Sequence, residues 1–134
     1  MQKHAKMMLL AALIGFGAAP VGAQTPLKDV AHVRDGIIHV GMAYEISEKC
    51  PEISARLFRG IGFLNSLKRH ARSLGYTEAE IDAYVNDDAE KDRLEAIARE
   101  SLAALGVVEG EEATYCAAGR AEMEANTRVG WLLR

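Results

Sequence analysis

Two cysteines constrain this chain more than any other feature: Cys50, directly before Pro51 in EKCPEIS, and Cys116 in TYCAAGR. They are the only two in 134 residues. What they do depends on the compartment, because disulfides persist in oxidising surroundings and are rare in the cytosol. The N-terminus bears on that question. Lys3 and Lys6 give a positive start, Met7 to Ala19 form an uncharged apolar run, and Val21-Gly22-Ala23 puts small residues at the −3 and −1 sites. That is the pattern of a secretory signal peptide removed after Ala23. The apolar run is about 13 residues, short of the roughly 20 that span a bilayer, so cleavage is expected rather than a retained anchor. No cysteine stands at the cleavage site, which argues against a lipoprotein.

The expected product is therefore a signal peptide, residues 1–23, and one domain, residues 24–134, located in the periplasm or secreted. An exported chain with an even cysteine count favours a bridge. C-x-x-C and C-x-x-C-H are both absent, which removes thioredoxin-type redox chemistry and covalent haem. A Cys50–Cys116 link closes a loop of about 65 residues and is worth roughly 4 kcal/mol in the chain-entropy treatment. Such a domain has about 5–15 kcal/mol in total. The competing reading is two separate thiols, one of them reactive.

The rest of the chain reads as helices. Asp29 is a candidate N-cap, and Val30, Val33, Ile37, Val40 and Tyr44 follow at helical spacing to about Lys49. Pro51 suits a first helical position, which would put Cys50 at the start of a second helix of about 24 residues. Its stripe is Ile53, Leu57, Ile61, Leu64, Leu67, Ala71 and Leu74, with Gly75 as the stop. Gly60 and Gly62 inside it predict a close crossing by another helix. Thr77 with Glu80 forms a capping box, and Asp87 with Glu90 a second. The fourth helix buries Leu94, Ile97, Ala98, Leu102 and Leu105, and Gly106 ends it. A last helix from about Glu111 to Ala125 turns Ala113, Cys116, Gly119 or Arg120, and Met123 inward. The tail VGWLLR is apolar and carries the only tryptophan, Trp131. The expected fold is all-α, a small bundle of about five helices closed by one disulfide.

Three motifs, S-A-R at Ser54–Arg56, L-G-Y-T-E-A-E-I at Leu74–Ile81 and C-A-A-G-R-A-E at Cys116–Glu122, resemble short exported proteins of Gram-negative alphaproteobacteria catalogued only as a domain of unknown function. The similarity covers nearly the whole chain after residue 23, both cysteines included. It implies no activity.

Few residues point to chemistry. Asp29, His32, Asp35 and His39 share roughly one helical face and could hold zinc or copper, but they also read as the wet side of an amphipathic helix. His32, Asp35 and His39 are the metal candidates that remain, and weak ones. The carboxylates are explained as caps or exposed flanks, and neither G-x-S-x-G nor a phosphate loop is present. No cofactor is expected. Removing the signal peptide leaves 14 basic against 19 acidic residues, a net of −5, which argues against general nucleic-acid binding. Residues 49–75 carry a net of +5 and residues 77–112 a net of −9. These segments either neutralise each other inside the bundle or form two opposed surfaces. Arg56 and Arg120 each lie near a cysteine, and one of them is expected to pair across the bundle with Glu45 or Glu122. Arg56, Arg59, Arg120 and Trp131 are the interaction candidates. The expectation is a protein that meets a protein partner in the envelope, not an enzyme, with no nucleic acid and no stable membrane insertion after cleavage. An acid-stress chaperone and a carrier of a small ligand or metal are the alternatives.

Overall fold

The structure is a computed structural model and describes residues 24–134; the expected signal peptide, residues 1–23, lies outside the described residues. After a single 3-10 turn at Leu27–Asp29, the chain forms α1 (Ala31–Lys49), α2 (Leu57–Ser73), α3 (Glu78–Val85), α4 (Asp88–Ala104), α5 (Glu112–Glu124) and the one-turn α6 (Arg128–Trp131). Among the described residues there is one isolated bridge, Ala55 to Leu133, and no strand. The all-α expectation holds, with the tail adding a sixth, short helix. Among the described residues, no helix is long and apolar enough to cross a membrane.

α1 is the axis of the molecule, and it has two apolar sides. Ile38, Met42, Ala43 and Ile46 face the main core, with Leu94, Ala98 and Leu102 of α4, Tyr115, Cys116 and Ala118 of α5, and the tail. The opposite side is the stripe legible in the sequence. There Val33 is buried, Ile37 and Val40 are half-buried, and Tyr44 is exposed. Asp29 does not cap α1. It lies in the 3-10 turn, and Val30 begins the helix without a side-chain bond.

The second helix is shorter than its periodicity predicts, and Cys50 ends α1 instead of opening α2. The residue before a proline is pushed out of the helical region, and Cys50 is accordingly extended, at φ −116 and ψ 109. Residues 54–56 then pair with the C-terminus. Ser54 N donates to Arg134 O at 2.8 Å, Arg134 N returns to Ser54 O at 2.9 Å, and Arg56 N donates to Leu132 O at 2.8 Å. Long-range pairing thus overrides local helical periodicity over six residues, Pro51 to Arg56.

Among the described residues, the expected helix crossing at Gly60 and Gly62 is absent: a Cβ at either would meet nothing within 4 Å. The close approaches are elsewhere. A Cβ at Gly119 would lie 2.6 Å from Ile53 Cδ1, and one at Gly130 would lie 2.0 Å from the backbone oxygen of Glu122.

The capping box of α3 is complete, with Thr77 Oγ1 accepting from Glu80 N and Glu80 Oε2 accepting from Thr77 N at 2.7 Å. That of α4 is half-formed. Asp87 Oδ1 accepts from Glu90 N at 3.0 Å, but the Glu90 side chain turns to Arg93 instead. Leu94, Ala98 and Leu102 are buried as expected, while Leu105 stays exposed beside Gly106 at φ +92. In α5, Ala113 and Arg120 point outward; Tyr115 and Ala118 take the inward positions beside Cys116 and Gly119.

Cys50 and Cys116 are bonded, with Cα atoms 5.2 Å apart across a separation of 66 residues. The bond ties the end of α1 to α5. The tail packs on its own core, with Val129, Leu132 and Leu133 buried.

Candidate interaction face and groove

His32, Asp35 and His39 are not drawn into a donor set. The His32 ring meets His70 edge-on at 4.5 Å between centroids, and Asp35 accepts from Arg34 Nε at 2.8 Å. Among the described residues, the one group of three candidate ligands within 4.8 Å of one another is Cys50, Glu52 and Cys116. Two of these are already bonded to each other, so no thiolate is left to bind a metal.

Three of the four interaction candidates converge. Arg56 Nε donates to Leu133 O, and Arg59 Nη1 donates to Trp131 O, both at 2.8 Å. The Arg59 guanidinium sits 4.7 Å from the Trp131 ring centre, Arg128 lies 4.9 Å from it on the same ring, and Phe63 meets the ring edge-on. These contacts satisfy carbonyls at a helix C-terminus that no intrahelical donor can reach, and each cation–π contact adds about 0.5–1 kcal/mol at an exposed site. Arg120 is elsewhere. It pairs with Glu52 at 2.6 Å, beside the disulfide, and not with Glu45 or Glu122. Glu122 instead accepts from the Thr127 hydroxyl. Of the ion pairs among the described residues, only Arg72–Glu78 joins the basic segment to the acidic one.

The arginine side of α2 is thus engaged with the tail. Its other side is not. Leu57 is 68% exposed, Phe58 89% and Ile61 47%. On a helix these three positions adjoin one another and continue the stripe of Leu64, Leu67 and Ala71. The stripe does not close on a neighbour over its whole length. α2 and α4 both pack on α1 but hardly on each other, leaving an apolar groove of about 810 Å³. Val40 and Tyr44 of α1 are part of its floor, Ile61 and Leu64 of α2 one wall, and Leu94 and Ala98 of α4 the other.

Two groove residues escaped the sequence reading. Glu90 was assigned to capping, yet it is only 8% exposed. Two hydrogen bonds from Arg93, at 2.8 and 2.7 Å, hold its carboxyl below the ordinary carboxylate range against the opposing effect of burial. The signal available in sequence was the Glu90–Arg93 spacing of three residues. Tyr84 lies in α3 and belongs to no motif in the sequence. Its hydroxyl is buried beside the Glu90 carboxylate and, among the described residues, makes no hydrogen bond of ordinary geometry. Burial, first, and then the nearby Glu90 charge push its pKa up to about 12, so it stays a neutral donor.

The model of the Family of unknown function (DUF5333) matches residues 25–134. No curated protein and no solved structure matches the chain.

Proposed function

We propose, from the premise that the chain belongs to this family of unknown function and inherits no activity from it, that it is an exported periplasmic protein acting by contact with a protein partner rather than by catalysis. The signal-peptide pattern and the internal disulfide support export. The observation that carries the contact reading is the bare first turn of α2, where Leu57, Phe58 and Ile61 face solvent. Large apolar side chains grouped on a surface mark interaction sites. Exposed Arg56, Arg69 and Arg128 flank the α2–α6 region, so the complementary partner surface is apolar at its centre and acidic around it. An acid-stress chaperone would use the same apolar face and is one form of this reading.

The test is crosslinked capture from native periplasm with wild-type protein and with Phe58→Asp. Phe58 is nearly free of internal contacts, so the variant is expected to keep the wild-type melting temperature within about 2 °C. Its yield of the captured partner is expected to fall by about tenfold or more, since a buried charge replaces an anchor. Equal capture by both proteins would remove the contact reading at this face.

A further inference from the structure

The contact face and the groove complement each other across two copies of the chain. On α2, Phe58, Ile61, Gly62, Asn65 and Arg69 recur at helical spacing and share one side of the helix. All five are exposed. Gly60 and Gly62 have no packing role inside one copy, since a Cβ at either would meet nothing within 4 Å. Glycine inside a helix is destabilising unless something comes close to the backbone there. The two glycines leave a strip of bare backbone beside Phe58 and Ile61, open to a second helix.

The charges say which helix, and in which direction. α2 runs antiparallel to α1, since Val33 clusters with Ala71 and a Cβ at Gly36 would touch Leu67. α4 runs parallel to α1, with Glu90 near Lys28 and a Cβ at Gly41 falling 3.4 Å from Ala98. Within one copy, the start of α2 therefore lies at the opposite end from α3 and the start of α4. From Ile53 to Ser73 the chain holds Arg56, Arg59, Lys68, Arg69 and Arg72 and no carboxylate, whereas α3 and α4 hold eight carboxylates against Lys91, Arg93 and Arg99. Arg72–Glu78 is the one ion pair among the described residues that joins the two sets, and Arg56 and Arg59 pair with no carboxylate there. A second copy laid antiparallel on α2 brings the basic start of each α2 to the acidic α3 and α4 of the other, and twofold symmetry makes that contact twice.

We propose that the chain forms a twofold dimer in which two α2 helices cross antiparallel at Gly60 and Gly62, and Phe58 of each copy seats in the groove of the other. An axis between Ile61 and Gly62 sets position 58 opposite position 65, and Asn65 lines the groove. The charged lining of the groove is Glu45, Glu90 and Glu95 against Lys68 and Lys91, and Lys68 lies by Glu78. It suits the apolar, cationic start of α2. Phe58 is 89% exposed in one copy, and Tyr44, Ile61 and Val85 at the groove are exposed as well; covering them supplies the apolar drive. The inference rests on the protein-contact reading and names its partner, because the groove of a second copy is a surface apolar at its centre with carboxylates around it.

Sedimentation equilibrium of the purified, oxidised protein from about 1 to about 200 µM is the test. A reversible monomer–dimer equilibrium is expected, with a dissociation constant on the order of 10 µM, as suits a small interface. Phe58→Asp is expected to stay monomeric throughout. Gly62→Gln is expected to weaken the dimer by about tenfold or more while raising the melting temperature of the dilute monomer, because glutamine favours a helix and meets nothing in one copy. These two readouts move in opposite directions only if the close approach is between copies. Raising the salt from about 0.05 to about 0.5 M is expected to weaken the dimer several-fold. The proposal is overturned by a protein that stays monomeric at the highest concentration, by a dimer that keeps wild-type affinity in either variant, or by one that salt strengthens. A monomeric wild type that still captures a different protein through Phe58 overturns the self-pairing and leaves the contact reading standing. A monomeric wild type whose captures are unchanged by Phe58→Asp removes both.

Discussion

Replacing Cys50 and Cys116 together by alanine lowers the unfolding free energy by about 4 kcal/mol and the melting temperature by roughly 15–20 °C. The reason lies mostly in the unfolded chain. A link across 66 residues removes many open conformations that the variant regains. The native state loses little by comparison, because alanine fills most of each buried site and the neighbouring Ile46, Ile53 and Leu133 remain packed. Urea unfolding of wild-type and variant protein measures the difference. A loss under about 1 kcal/mol would mean that the end of α1 and α5 are held together without the bond.

Gly130→Ala is expected to cost about 3 kcal/mol or more, at the upper end of overpacking effects. Added at Gly130, a Cβ would meet three backbone atoms, Glu122 O at 2.0 Å, Glu122 C at 2.3 Å and Met123 N at 2.6 Å. Backbone cannot swing aside as a side chain can. The turn between α5 and α6 is also fixed from several directions. Asn126 is left-handed at φ 52, Thr127 N donates to Glu122 O at 3.2 Å, and Thr127 Oγ1 accepts from Gly130 N at 3.0 Å. Relieving the contact would lift α6 away from α5 and carry Leu132 and Leu133 out of the core. Gly60→Ala is the control, since its Cβ meets nothing and alanine favours the helix by about 0.5–1 kcal/mol. Thermal unfolding of both variants should give opposite signs. Similar destabilisation in both would contradict the packing described for α5 and α6.

How much of this was legible in the sequence depended on whether a signal was local. The Thr77–Glu80 box and the glycine stop at Gly106 involve neighbours in the chain, and the structure forms both. The cysteine pairing was also legible, because only one internal pairing is possible with two cysteines. The ends of α2 were not. Pro51 fits a helix start as well as a helix break, and the pairing of residues 54–56 with the C-terminus over about 78 positions decided it. The stripe of α1 was read correctly as one apolar face, and the second apolar face, Ile38, Met42, Ala43 and Ile46, was not read at all. α1 is apolar on two sides, and periodicity identifies a face without saying what covers it.

The same distinction separates the sites. Arg56 and Arg120 stood out for lying near a cysteine, and Trp131 as the only tryptophan; the fold brings Arg56, Arg59 and Trp131 together through carbonyls near the C-terminus, whereas Arg120 goes to Glu52. Glu90 and Tyr84 were passed over because an acid after a capping residue and a tyrosine in a helix both look ordinary. Their burial arises where the 3-10 turn at Leu27–Asp29, α3 and α4 meet α1, a junction that no local pattern announces. The stripe of α2 was the clearest periodic signal in the chain, yet Leu57 and Ile61 at its start are exposed while Leu67 and Ala71 further along are buried.

Both the contact face and the groove depend on one structural division. A disulfide-closed core lies between α1, α4, α5 and α6, and the first half of α2 lies beside it with little behind it. Native-state amide hydrogen exchange on the oxidised chain measures this directly. Amides of Met42 to Ile46, Leu102 and Ala118 should exchange only through global unfolding, and those of Ile61 to Leu64 should open at a free energy at least about 2 kcal/mol lower. Uniform protection across α1, α2 and α4 would show that α2 is a closed part of the core, and neither surface would then be available.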